Sequence, residues 1–174
     1  MKTILIVLAV AVAGLLAYAT TRPDTFRVER TITIQAPPEK IIPFIEDFHQ
    51  WPTWSPFEKL DPAMKRTLSG PEKGKGAVYQ WDGNRKAGSG RMEVLEVVPA
   101  SKVSIQLEFT KPFESKNLAE FDLVNKGGAT SVTWSMSGPQ PYVTKIMTIF
   151  VSMDSMVGGD FETGLANLKA AAEK

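Results

Sequence analysis

Val103-Ser104-Ile105-Gln106-Leu107-Glu108-Phe109-Thr110 is the cleanest alternation in the 174-residue chain. Val103, Ile105, Leu107 and Phe109 fall on one side and Ser104, Gln106, Glu108 and Thr110 on the other. That is the pattern of a strand with one face buried and one in water. Lys111-Pro112 ends it, because proline has no N–H to give to a ladder. The same period recurs on both sides. Upstream, Gly90–Val98, Ala77–Trp81 and Met64–Ser69 read as strands, separated by Asp82-Gly83-Asn84 and Gly70-Pro71, which are turn residues. Downstream, Leu118–Val124 and Thr130–Ser137 follow, with Asn125-Lys126-Gly127-Gly128 turning between them. Nearer the N-terminus, Phe26, Val28, Ile32 and Ile34 alternate with Arg27, Glu29, Thr31 and Thr33. Short turns between successive strands predict an antiparallel sheet of about seven strands.

Such a sheet needs an apolar partner for its buried face. Pro38-Glu39-Lys40 opens a helix whose apolar side is Ile41, Ile42, Phe44, Ile45 and Phe48, with Pro43 in its first turn or marking a kink. His49–Phe57 is an aromatic segment broken by Pro52 and Pro56. After Gly138-Pro139-Gln140-Pro141 the pattern is helical to the end: Ile146, Ile149, Phe150, Met153, Met156 and Val157 recur at spacings of three and four. Gly158-Gly159 is expected to interrupt this helix as a hinge or kink, with Asp160 capping a second half that carries Phe161, Leu165 and Leu168. The expected class is α+β, a curved antiparallel sheet around a long C-terminal helix, with an apolar hollow where sheet and helix do not touch.

A separate hydrophobic run covers Thr3–Ala19, behind Lys2 and ahead of Thr20, Thr21 and Arg22. A buried first helix is one reading of it. A cleaved signal peptide fits the basic start and the small-x-small triplet Ala17-Tyr18-Ala19. A retained signal anchor fits the length, since about 17 residues at 1.5 Å cover roughly 25 Å, nearly a bilayer core. The run is longer than an ordinary cleaved h-region, so the anchor is the reading taken forward. Lys2 then stays inside and the domain faces the extracytoplasmic side; cleavage near Ala19 would instead release a secreted or periplasmic protein. The chain divides into residues 1–20 as the anchor or signal peptide, 21–25 as a linker, and 26–174 as one domain.

Without Lys2 the remaining 19 basic side chains balance 19 acidic ones, which leaves no long-range field to attract nucleic acid. There is no cysteine, hence no disulfide, thiolate nucleophile or cysteine metal site. The single histidine, His49, excludes a His-based metal site and a charge-relay pair. No Gly-x-Ser-x-Gly elbow, His-Glu-x-x-His, phosphate loop or dinucleotide fingerprint is present. No cofactor or metal is expected.

The run Phe48-His49-Gln50-Trp51-Pro52-Thr53-Trp54-Ser55-Pro56-Phe57 resembles the "W-x-x-W-S-P-x" signature of the polyketide cyclase/dehydrase group in the START-like, or SRPBCC, superfamily. Tyr79-x-Trp81-x-Gly83-Asn84, Gly88-x-Gly90-Arg91-Met92, Gly138-Pro139 and Phe161-Glu162-x-Gly164-Leu165-x-Asn167-Leu168-Lys169 resemble it too. The resemblance covers Phe26–Ala172. It implies a helix-grip fold of the pollen-allergen kind, seven antiparallel strands holding a C-terminal helix over a deep cavity. It is specific for fold and weak for activity: many members bind lipids, sterols or quinones and a minority are cyclases.

The candidate lining of such a cavity comes from three places. The aromatic segment offers Trp51, Trp54 and Phe57. The strand faces offer Tyr79, Trp81, Met92, Ile105, Leu107, Phe121 and Trp134, and the final helix offers Phe150 and Met153. Plain core packing is the competing reading for each of them. Arg30, His49 and Asn117 are polar exceptions that would orient a ligand; for Arg30 the competing reading is a structural ion pair, because an unpaired buried charge is costly. The leading function is binding of an apolar small molecule or lipid by a membrane-tethered domain. A cyclase or dehydratase would use His49, Tyr79 or Arg30 as acid, base or oxyanion partner, but no pair of titratable groups is placed to work together. An envelope module binding a protein partner through an exposed aromatic turn is the third reading.

Overall fold

The computed structural model describes residues 1–174. In chain order the elements are α1 (Lys2–Thr20), β1 (Thr25–Ile34), α2 (Pro38–Glu46), two 3-10 turns (Phe48–Thr53 and Pro56–Lys59), β2 (Lys65–Ser69), β3 (Val78–Asp82), β4 (Ser89–Val98), β5 (Lys102–Lys111), β6 (Ser115–Asn125), β7 (Thr130–Pro139), α3 (Tyr142–Phe150) and α4 (Met153–Ala172). The seven strands form one antiparallel sheet in the order β1-β7-β6-β5-β4-β3-β2. Strands β2 to β7 are a meander, each hairpin following the turn residues in the sequence, and β1 joins at the β7 edge. Register shifts in β4 at Ser89/Gly90 and Val94/Glu96 are the bulges that bend such a sheet. Pro43 lies inside α2 rather than in its first turn.

Pairing sets the concave face out in rows. Val103, Phe121, Trp134 and Arg30 form one row. Val94, Ile105, Ala119, Met136 and Val28 form the next, and Tyr79, Met92, Leu107 and Asn117 follow. Trp81, Gly90 and Phe109 are last, at the end of the sheet where α1 enters β1.

Helix α4 closes the first rows along β1. Phe161, Leu165, Leu168 and Ala172 are buried, at the helical spacing that makes one face. Lys169 Nζ donates to the Thr33 carbonyl at 2.8 Å and the Gln35 amide to Glu173 at 2.7 Å. The Trp134 ring is stacked on Phe161 at 4.2 Å with planes 6° apart. Gly164 lets them meet, since a methyl there would strike Trp134 at 2.7 Å.

The C-terminal helix breaks in a different place from the one expected. Gly158 and Gly159 are helical, and the interruption falls at Val151–Ser152. Val151 is extended (φ −139°, ψ 111°), and the Ser152 hydroxyl accepts from the Ser155 amide at 3.0 Å, an N-cap that starts α4 afresh. The glycines serve packing instead: a side chain at Gly158 would collide with the Arg30 guanidinium.

Helix α1 stands apart. It carries no charge after Lys2, has mean hydropathy 2.4, and only 6 % of its span is buried against the rest. By length and composition it is the one helix able to cross a membrane.

Candidate functional site

The aromatic signature has a local cause. A helix leaves its last carbonyls without partners, and in α2 two indoles supply them. Trp51 Nε1 donates to the Ile45 carbonyl at 3.0 Å and Trp54 Nε1 to that of Phe44 at 2.8 Å. Asn167 of α4 reaches back to the Trp54 carbonyl at 3.0 Å. The W-x-x-W spacing thus ties α2 to the sheet and to α4. Trp51 and Trp54 are 4 % and 1 % exposed, so the turn is not the exposed aromatic surface that a partner-binding module needs.

Further down the concave face the rows are solid core. Phe121 stacks on Trp134 at 5.0 Å and meets Trp51 and Trp54 edge-on at 6.5 and 6.0 Å; Ile105 is fully buried. Of the expected lining, Trp51, Trp54, Ile105, Phe121 and Trp134 therefore fill the grip. Within this cluster the Trp134 indole N–H has no hydrogen-bond partner.

Burial then falls toward the α1 end. The Val94 and Ile105 row is closed, Tyr79 and Met92 are 3 % and 8 % exposed, and Leu107, Phe26, Trp81 and Phe109 are only half-buried. Trp81 meets Phe109 edge-on at 5.5 Å and anchors its indole N–H on the Ala87 carbonyl at 3.1 Å. Gly90 leaves room for the Trp81 ring, which any side chain there would strike. Phe57 lies half-buried against Trp134 at 6.2 Å, and Met153 is half-buried too. Leu107, Phe26, Trp81 and Phe109 make an apolar lip because α4 packs along β1 rather than over β3 to β5, whereas Phe57 borders the closed Trp134 row. Phe150 is not part of the lip. The break at Val151 turns it outward on α3, where it is 71 % exposed.

The polar candidates are each engaged. Arg30 faces inward as its strand position requires and binds two α4 carboxylates, Asp154 at 2.7 Å and Glu162 at 2.7 Å. Hydrogen bonding to Arg30 holds the Asp154 carboxyl below its ordinary range. His49 is exposed, with Nδ1 2.8 Å from the Asp47 carboxylate that caps the first 3-10 turn. Asn117 donates to Ser115 Oγ at 3.3 Å and borders a hollow of about 510 Å³ with Thr25, Arg27, Gln106 and Lys116. That hollow is open, with Phe26 and Leu118 as its apolar members, and most of its residues belong to the outer face of the sheet, so it does not enclose a ligand as a concave pocket does.

One cluster escaped the sequence reading. Glu58, 9 % exposed, accepts from the Tyr79 hydroxyl at 2.6 Å and from Arg66 Nε at 2.7 Å. Burial, and then the Glu58 carboxylate, push the Tyr79 hydroxyl well above its usual range, so Tyr79 is a locked donor and a poor base at neutral pH. Phe26 and Phe109 were also missed as lip residues, although each shares its alternating face with a chosen one.

An antiparallel sheet gripping a C-terminal helix, with its concave face opening at one end, defines a helix-grip domain of the START-like class. A family model described as "polyketide cyclase / dehydrase and lipid transport" matches residues 25–173, and the chain belongs to that family. Among solved structures it is similar to major latex-like protein 151 from Panax ginseng (14 % identity, 87 % of this chain and 100 % of that one, TM-score 0.60). It is likewise similar to the Aha1 dimer from Colwellia psychrerythraea (20 %, 85 % and 96 %, 0.57) and to protein CV1439 from Chromobacterium violaceum (14 %, 88 % and 99 %, 0.58). At these identities the likeness is one of fold. No curated protein matches.

Proposed function

We propose that the domain holds an apolar small molecule or lipid at the open end of its concave face, while α1 tethers it to the extracytoplasmic side of a membrane. The observation that carries this is the graded burial of the concave face, from closed rows under α4 to the half-exposed lip of Phe26, Trp81, Leu107 and Phe109. Burying about 200 Å² of ligand there is worth roughly 5 kcal/mol at 25 cal/mol per Å². Helix α1 supports the tether by its length and exposure, and Lys2 supports the orientation.

The cyclase or dehydratase reading gains no such support, because Arg30, His49 and Tyr79 all have structural partners. Native mass spectrometry of the full chain, released from cell membranes in mild detergent, tests the proposal. A bound apolar mass is expected in the wild type and its loss in Leu107→Arg. A clean apo mass, with no thermal shift across lipids, quinones and sterols, overturns ligand binding. A mature mass lacking residues 1–19 overturns the tether.

A further inference from the structure

Helix α3 has its polarity reversed for a helix packed on a soluble domain. Its polar residues point inward: Lys145 and Thr148 are 8 % and 6 % exposed. Lys145 Nζ reaches Asp24 at 2.6 Å, and Thr148 Oγ1 accepts from Gln140 Nε2 at 2.5 Å. Its most exposed apolar residues form the outer stripe, with Ile146 and Ile149 half-buried at its flanks. Val143, Met147 and Phe150, spaced four and three apart along one stripe, are 69 %, 51 % and 71 % exposed, and Val151 continues the stripe at 52 %. A stripe like this is stable where its outer side meets something other than water.

The position of α3 says what that is. The Tyr142 hydroxyl donates to the Leu16 carbonyl of α1 at 2.9 Å, and an Arg22 guanidinium N–H reaches the Thr148 carbonyl at 3.5 Å. Leu16 lies four residues inside the C-terminal end of α1, about 6 Å along its axis at 1.5 Å per residue. All 19 residues of α1 together cover only about 28 Å, slightly less than a hydrocarbon core of about 30 Å. A bilayer that accommodates α1 therefore reaches the level of Tyr142 and the start of α3.

We propose that α3 is an interfacial helix that beds Val143, Met147 and Phe150 in the lipid surface beside the spanning helix α1. This rests on the reading of α1 as a retained membrane span. The strand ends carrying Trp81 and Phe109 lie at the same end of the sheet as the α1 exit, so the bedded helix stands the open lip against the bilayer. An apolar ligand then passes between lipid and lip without crossing water.

The chain has no cysteine, so single cysteines report position directly. Val10→Cys in α1, Met147→Cys and Phe150→Cys in α3, and Lys126→Cys in the β6–β7 turn are labelled with an environment-sensitive fluorophore. The full chain is then placed in phosphatidylcholine vesicles with and without doxyl-labelled lipid. Positions 10, 147 and 150 are expected to show blue-shifted emission and to lose most of it to the doxyl lipid, while 126 keeps a water-like spectrum. Quenching at 10 with water-like spectra at 147 and 150 overturns the docking and leaves the tether standing. Water-like spectra at all four overturn both. Blue-shifted but unquenched emission at 150 places protein on the stripe, a second copy or another partner, and also overturns the proposal.

Discussion

Helices α3 and α4 follow one another in the chain and bury opposite chemistries. In α4 the inward residues are Phe161, Leu165 and Leu168, and the outward ones include Glu162 and Thr163. In α3 the inward residues are Lys145 and Thr148, while Val143, Met147 and Phe150 face out. Both helices carry apolar residues three and four apart, and only the surroundings differ. Helix α4 lies against a sheet; α3 lies against the end of an apolar helix that meets almost nothing else. Periodicity identifies the apolar side of a helix, but which solvent that side meets is decided by the neighbours.

The largest effect should come from breaking the α4 side. Phe161→Ala removes a ring that is 2 % exposed and stacked on Trp134. It should cost about 3–5 kcal/mol, read from urea unfolding of the full chain in detergent by tryptophan fluorescence. A loss below about 1 kcal/mol would mean that α4 does not grip the sheet as the stacking indicates.

Next in size is the Glu58 cluster, which ties the second 3-10 turn to β2 and β3. Tyr79→Phe leaves a buried carboxylate short of one donor, which should cost about 1–3 kcal/mol at neutral pH. The Tyr79 hydroxyl is held above its ordinary value of 10.0, so the folded state keeps that proton more tightly than the unfolded chain. The contribution is therefore complete below pH 10 and is lost as pH climbs from there toward the raised folded value. The gap in urea midpoint between wild type and variant should narrow above pH 10, and an unchanged gap would refute the assignment.

How much of this was legible in the sequence differs between the same two regions. Every strand was visible, because alternation such as Val103 to Phe109 survives whatever packs on it, and the turn residues fixed an antiparallel meander. The family signature pointed to the right fold, although Trp51 and Trp54 proved to be staples on the α2 carbonyls. The helix break was misplaced because Gly158-Gly159 is a stronger local signal than Val151-Ser152. A capping serine acts only once the chain has turned, and the reason for Gly158 is the Arg30 guanidinium, 128 positions earlier in the sequence. Phe150 was misassigned for the same reason. Glu58, Arg66 and Tyr79 share no period; they meet because the β2–β3 register and the packing of the second 3-10 turn bring together residues far apart in sequence.

The two glycines sharpen the contrast within α4. Nothing lies within 4 Å of a methyl group at Gly159, so Gly159→Ala should stabilise the helix by about 0.5–1 kcal/mol. Gly158→Ala should lose that gain, because the methyl displaces Arg30 from Asp154. In an Arg30→Met background the gain should return. A double-mutant cycle by urea unfolding measures the coupling; additivity would show that Arg30 yields freely.

The smallest effect is the most telling for α3. Phe150→Ser exchanges an aromatic ring for a hydroxyl, as drastic in chemistry as any change at Phe161, yet the ring is 71 % exposed. The unfolding free energy in detergent should move by no more than about 0.5 kcal/mol. A loss of about 2 kcal/mol or more would mean that protein covers the stripe. A second copy would be the natural source, and the unfolding midpoint would then shift with protein concentration. A midpoint that neither falls with Phe150→Ser nor depends on concentration leaves a surface ring with no protein partner, which is the condition a lipid-bedded helix requires.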